Sequence, residues 1–244
     1  TVFAAVMIIL NGILGVSLLV GGVKHFEQFF ARTSVTTYLV SIVSILALTL
    51  ILPNYTSSIN GPFYNTPQLI FISIACLVIY SIFLMVQTVR HRNYFVPAEA
   101  AEEKHYVPTK ANAITSFIFL VICLVIVVMM AKGLSKTIED MVQSIGAPKS
   151  LVGVIIALVV LMPEGLAAIR AARNNQIQSS LNLGLGSALA SIGLSIPAIS
   201  VVSIMYDIPL VLGLEKKDII LLTLSVFIVM LSLSRGKTNI LYGT

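Results

Sequence analysis

The chain has 244 residues, 57% hydrophobic and 10% charged, where soluble domains run near ~25% charged, and its mean hydropathy is +1.00. So little polar surface excludes a water-soluble globule. The net charge of +5 lies between apolar runs rather than on one face, which excludes a nucleic-acid binder.

The composition predicts an all-α fold, a polytopic transmembrane helix bundle. Apolar runs of ~18 residues recur along the chain, and each can cross a bilayer of ~30 Å. Seven spans are predicted, at about Thr1–Val23, Val35–Leu52, Gln68–Val89, Ala113–Ala131, Ser150–Ala168, Leu181–Ile204 and Ile219–Ser234. Residues 1–131 then form a first half with a cytoplasmic linker over 90–112. Residues 132–149 form an extracytoplasmic loop, and 150–244 a second half.

In the first span, Asn11, Gly15 and Gly22 share a face. An amide at mid-membrane can offer its carbonyl oxygen to a cation or hydrogen-bond a carboxylic acid, and structural bonding alone explains it equally well. The second span ends in a turn-rich loop from Pro53-Asn54 to Gly61-Pro62. Cys76 and Cys123 each fall mid-run, where free cysteine behaves as a small apolar side chain rather than a disulfide or metal pair. Between the third and fourth spans, Arg90, His91, Arg92, Glu99, Glu102, Glu103, Lys104 and His105 read as a solvated linker. Before the fifth span, Ile138, Met141, Val142 and Ile145 recur at helical spacing, with Glu139, Asp140 and Gln143 on other faces. That pattern predicts a short interfacial helix.

Basic residues orient the bundle. Lys24, Arg32, Arg90, Arg92, Lys104, Lys110, Arg170, Arg173, Arg235 and Lys237 fall on one side, and Lys132, Lys136, Lys149, Lys216 and Lys217 on the other. The richer side is predicted to be cytoplasmic, with Thr1 facing outward. No secretory signal is visible, and a chain opening inside one apolar run and closing just after another reads as a fragment.

The fifth span carries Glu164, the one acid in the interior of an apolar run, between Pro163 and Gly165. An ionisable group at membrane depth costs ~2.5–3.5 kcal/mol on insertion scales, so it marks an ion or substrate site. Pro163 has no N–H, which frees the Val159 carbonyl and invites a kink. That carbonyl and the carboxylate are hard oxygen ligands, suited to Ca²⁺ or Na⁺. The bland alternative is a kinked helix holding a protonated, hydrogen-bonded Glu164. In the sixth span Ser180, Gly184, Ser187, Ser191 and Ser195 form one stripe of small residues. Such a stripe packs helices, and its hydroxyls can also ligate a cation. The candidate metal ligands are Glu164, the Val159 carbonyl, Ser187, Ser191 and Asn11, with Glu164 also the proton site.

The run Pro163 to Arg173, then Ser180 to Gly193, resembles the second alpha-repeat of the calcium/proton antiporters of the cation/calcium exchanger superfamily, nearest the bacterial ChaA-type branch. Thr1–Met7 and Gln87–Arg92 are similar to the same branch. The resemblance implies two inverted repeats sharing one central site, with the second-repeat glutamate at Glu164. It also implies the glycine-serine pair at Gly186 and Ser187, a helix-ending proline at Pro197, and the first-repeat polar position at Asn11. Val160-Leu161 replaces a glycine-asparagine pair, Gly165 a histidine and Ala190 a glutamine, and those changes bear on selectivity between Ca²⁺ and Na⁺ or K⁺. An acidic helix before Thr1 and a span after Thr244 are expected by the same resemblance.

The expected function is a secondary transporter, not an enzyme, that exchanges Ca²⁺, or Na⁺ or K⁺, for H⁺ without a cofactor. The expected location is a bacterial inner membrane, with lipid and the transported cations as partners and a homo-oligomer left open. No His-Glu-x-x-His or Gly-x-Ser-x-Gly motif supports an enzyme. A passive cation channel or a non-transporting membrane subunit remains the rival class.

Overall fold

The computed structural model describes residues 2–57, 61–95, 109–144, 146–148, 150–208 and 210–243, without the side chains of residues 124, 128, 131, 132 and 150. Seven helices make up almost all of it. They are α1 (Val2–His25), α2 (Arg32–Tyr55), α3 (Thr66–Arg90), α4 (Lys110–Ser144), α5 (Ser150–Arg173), α6 (Ile177–Tyr206) and α7 (Lys216–Ser232). The first six are long and apolar enough to cross a membrane. The 17 residues of α7 reach ~26 Å at 1.5 Å per residue, the short limit for a span.

The core lies around α6, which packs on α1, α2, α3 and α5 and buries Leu181, Leu185, Ala188, Leu189 and Ile192 completely. The outer faces are equally apolar. Ile70, Phe71 and Ile74 of α3 and Phe117, Ile118 and Leu120 of α4 are all exposed. A surface this apolar is stable only against lipid, so this is an integral membrane protein.

Both ends of the bundle are tied by polar contacts. At one end a two-residue ribbon pairs β1 (Gln28–Phe29) with β2 (Lys237–Thr238), and Lys237 Nζ meets Glu27 Oε1 at 3.1 Å. Lys24 Nζ and His25 Nε2 both lie 2.9 Å from the Arg173 carbonyl, and Gln28 Nε2 donates to the Ala172 carbonyl at 3.0 Å. These satisfy the last carbonyls of α5, which have no partner inside their own helix. Gln178 Oε1 accepts from the Ala31 amide, Gln178 Nε2 donates to Ser34 Oγ, and Asn182 Nδ2 donates to the Phe95 carbonyl. Lys24, Arg173 and Lys237, three of the basic residues predicted for one side, thus meet at one end. At the other end Asn54 Nδ2 donates to the Leu214 carbonyl, Phe63 bridges Val211, and Asn65 and Gln68 form a capping box at the start of α3.

Three predicted features differ. The helix over Ile138–Val142 is not separate from the fourth span, because α4 runs unbroken through Ser144. Nothing between Ala131 and Ser144 breaks a helix strongly; Gly133 alone costs ~1 kcal/mol, and Pro148 comes later. Residues 132–144 of the predicted loop are therefore helical. Ile138 and Val142 are buried and Met141 is exposed, while Ile145 and Lys149 lie outside the described residues, as do Glu99, Glu102, Glu103, Lys104 and His105 of the linker. Pro197 does not end its helix: it is buried inside α6, which continues to Tyr206. A proline inside a span is tolerated because neighbouring helices hold it. Here Tyr80 packs against Gly193, whose carbonyl the proline leaves unpaired. Pro163 likewise sits within a continuous α5.

Candidate functional site

The site is built where α1 departs from α-helical geometry. Residues Ile8–Ile13 form a π-helical stretch that packs on α5, α6 and α7. Such bulges are frequent at functional positions because they re-aim side chains. Ile13 is the wedge. A Cβ on Gly165 of α5 would lie 3.3 Å from Ile13 Cδ1 and Cγ1, and one on Gly184 of α6 would lie 3.8 Å from Ile13 Cγ2 and 2.9 Å from Leu14 Cδ2. The two glycines let α5 and α6 close on one isoleucine, and Ile13 fills the space of a side chain at position 165.

Glu164 stands beside this contact. On α5 it falls between Leu161 and Ala168 at spacings of three and four, which places it on the stripe with Leu161, Gly165, Ala168 and Ala172 that the helix buries. Its Oε2 is buried and has no hydrogen-bond partner. The protonated, bonded carboxyl of the bland reading therefore lacks an acceptor or donor at that oxygen among the described residues. An unpaired buried oxygen costs ~1–3 kcal/mol, more if charged, and calls for an explanation such as a bound ion or a proton.

The other predicted ligands are placed unequally. Ser187 and Ser191 are half-buried on α6, one and two turns beyond Gly184, and their hydroxyls make no hydrogen bond among the described residues. By contrast, Ser41, Thr49, Ser73 and Ser200 donate to the carbonyl four residues back. Asn11 belongs to the π stretch, but its Nδ2 donates to Ser225 Oγ of α7 at 3.1 Å and to the Met7 carbonyl at 3.2 Å. Val159 lies about 140° round α5 from Glu164 at ~100° per residue, with its side chain on the exposed face. The structure brings Gly165, next to Glu164, and Gly184, one turn before Ser187, to the same wedge; it turns Asn11 Nδ2 toward α7.

Sequence reasoning missed Ile13, Ser225, Ser17 and Gln28. Ser17 and Gly21 follow Ile13 at spacings of four, a stripe facing α5 and α6 that was legible. Nothing marked Ser225 or Gln28, because their partners are more than 140 residues away. Gly15 and Gly22, read as sharing a face with Asn11, serve a close approach instead. The Asn239–Gly243 backbone folds back along α1, with Ile240 N only 2.5 Å from a Cβ placed on Gly22.

Among the described residues the apolar bundle thus holds one carboxyl oxygen, Glu164 Oε2, that is buried and unpaired, beside a π-distorted helix crossing. The chain belongs to the sodium/calcium exchanger protein family, whose pattern matches residues 115–244. It is 41% identical over its whole length to y4hA of Sinorhizobium fredii, known by name only as an ionic transporter, and spans 66% of that protein. It is 29% identical over its whole length to the sodium-potassium/proton antiporter ChaA of Escherichia coli, and spans 67% of it. The solved structure of native YfkE superposes with a TM-score of 0.71 at 21% identity, over 99% of this chain and 68% of that one, and shows the same fold. The chain thus spans about two thirds of the length of these proteins.

Proposed function

We propose that the protein is a secondary active antiporter, not an enzyme, in which a cation and a proton compete for Glu164. The observation that carries this reading is the buried, unpartnered Oε2 of the one acid inside an apolar span. Removal from bulk water disfavours an ionised carboxyl in general, while an adjacent cation favours it. The group then holds either a proton or part of a cation's oxygen shell, and that exclusion couples two opposed flows at one site. The hydroxyls of Ser187 and Ser191, unbonded among the described residues, offer further oxygens on α6, and Asn11 keeps its Oδ1 free while Nδ2 donates to Ser225. The Val159 carbonyl would have to reach from its own face of α5.

Hard oxygen ligands suit Ca²⁺, Na⁺ and K⁺ alike. The resemblance of the Pro163–Gly193 region favours Ca²⁺, and the name of the E. coli relative favours Na⁺ and K⁺. No cofactor is needed, and the partners are lipid and the transported ions. The basic end would face the cytoplasm of a bacterial inner membrane. Rocking of inverted repeats about a midplane site would expose Glu164 to each side in turn.

The test is E164Q in the full-length protein, reconstituted in liposomes and offered Ca²⁺, Na⁺ and K⁺ separately under a pH gradient. Gln mimics the protonated acid, so proton-driven uptake of every cation should vanish while insertion is kept. Uptake at the unaltered rate would show a route that does not use this carboxyl, and no uptake by the unsubstituted protein would point to a non-transporting subunit. Cation flux without counter-movement of protons would identify a channel.

A further inference from the structure

Glu164 Oε2 is one of four buried side-chain oxygens without a hydrogen-bond partner among the described residues; the others are Ser180 Oγ, Ser17 Oγ and Gln28 Oε1. Ser17 and Ser180 are completely buried and Gln28 is 1% exposed. Ser17, Glu164 and Ser180 belong to α1, α5 and α6, and Gln28 of β1 lies against Gly21 of α1 and Ala172 of α5. Their register follows from contacts already described. Gly165 and Gly184 meet at Ile13, which sets the level of Glu164. One turn toward the basic end, Ser17 follows Ile13 on α1 and Ser180 precedes Gly184 on α6, with Ala168 on α5 beside them. One turn further, Gln28 Oε1 lies directly over Gly21 of α1, while its Nε2 is taken by the Ala172 carbonyl and Asn175 Oδ1. The eight residues from Glu164 to Ala172 span ~12 Å.

Buried oxygens that lack partners are ordinarily satisfied by internal water. Here they occur at successive turns, in a seam otherwise lined by Ala168, Ala172, Leu18 and Leu181, all buried. We infer that this seam holds a short file of water that carries the Glu164 proton to the basic end of the bundle through the hydroxyls of Ser180 and Ser17, ending at the Gln28 carbonyl oxygen. Each hydroxyl accepts one proton and gives up its own, so one H⁺ leaves the Glu164 carboxyl and one reaches water beyond Gln28. Glu164 is left as the carboxylate that a cation requires. Gln28 relays nothing itself; its oxygen anchors the last water. Three neutral oxygens cannot replace a metal ion's hydration shell, and the seam ends among Lys24, His25, Arg173 and the Lys237–Glu27 pair. The path therefore passes protons and not the cation.

The inference rests on the antiport reading, and one experiment separates the two. In the full-length protein in liposomes, proton release on rapid addition of Ca²⁺, and separately of Na⁺, is followed by a pH dye, with equilibrium binding of each cation measured alongside. The S17A/S180A variant loses two hydroxyls that bond no other group, so folding and cation binding should be unchanged. Proton release should slow by about tenfold, equivalent to ~1.4 kcal/mol on the barrier for a water deprived of a partner. Each single variant should slow it less. Release from the double variant at the unaltered rate, with E164Q inactive, overturns the track alone. Exchange surviving in E164Q overturns the assignment of the shared site to Glu164, on which the antiport reading stands.

Discussion

The wedge at Ile13 can be tested by a double-mutant cycle with Gly165. A methyl group on residue 165 would sit 3.3 Å from Ile13 Cδ1 and Cγ1, a few tenths of an ångström inside ordinary contact. G165A gains ~1 kcal/mol of helix propensity but overpacks a filled site, at ~1–3 kcal/mol, so a net loss of ~1 kcal/mol is expected. I13V removes Cδ1, one of the two crowded atoms, and by itself costs ~0.5–1.5 kcal/mol. In the double variant the new methyl occupies space that Cδ1 has left. The loss should then fall short of the sum of the singles by ~1 kcal/mol, within the range for residues in contact. The assay is denaturant unfolding of the full-length protein in detergent, with transport measured on the same samples. G165A should also lower transport, since it pushes α5 off α1 next to Glu164. Strictly additive losses, or a stabilised G165A, would mean that Ile13 does not hold α5 at this level.

Other consequences are equally direct. G22A should destabilise by ~1–3 kcal/mol, because the added carbon meets the backbone of Asn239 and Ile240 rather than a flexible side chain; hydrogen exchange should rise over residues 239–243. N11A and S225A should be non-additive by ~0.5–1.5 kcal/mol in the same unfolding assay, since either change alone breaks the 3.1 Å bond. Tyr64, in the loop between α2 and α3, donates to the Leu48 carbonyl, and burial, with a smaller push from Cys76, raises its phenol to about 12 from 10.0. A raised phenol stabilises the fold below pH 10 and loses that contribution as pH climbs from 10 to about 12. Y64F should flatten unfolding stability over that window.

The comparison of sequence with structure turns on range. The approximate number of spans and the singular position of Glu164 follow from local composition, because the bilayer itself enforces apolar length and penalises an acid at its depth. Relations between distant helices left no such mark. The helix predicted before the fifth span is there but joined to the fourth span, since no single residue signals where that helix stops. The helix end that the resemblance implied at Pro197 is absent, with Tyr80 packed where the proline frees the Gly193 carbonyl. The serine stripe of α6 was visible, yet its role was not, because a packing stripe and a polar stripe have one periodicity.

Hydropathy alone thus determined that this chain lives in a membrane, roughly how often it crosses, and which carboxyl is costly enough to need a purpose. Tertiary structure alone decided what that carboxyl meets. Gly165 and Gly184 come together on Ile13, Asn11 turns to Ser225, and Ser17, Ser180 and Gln28 line one seam, through contacts between segments up to 214 residues apart. Burial is a property of single residues and can be read along a chain. Unpaired oxygens at successive levels of a seam are a property of three helices, and exist only once those helices pack.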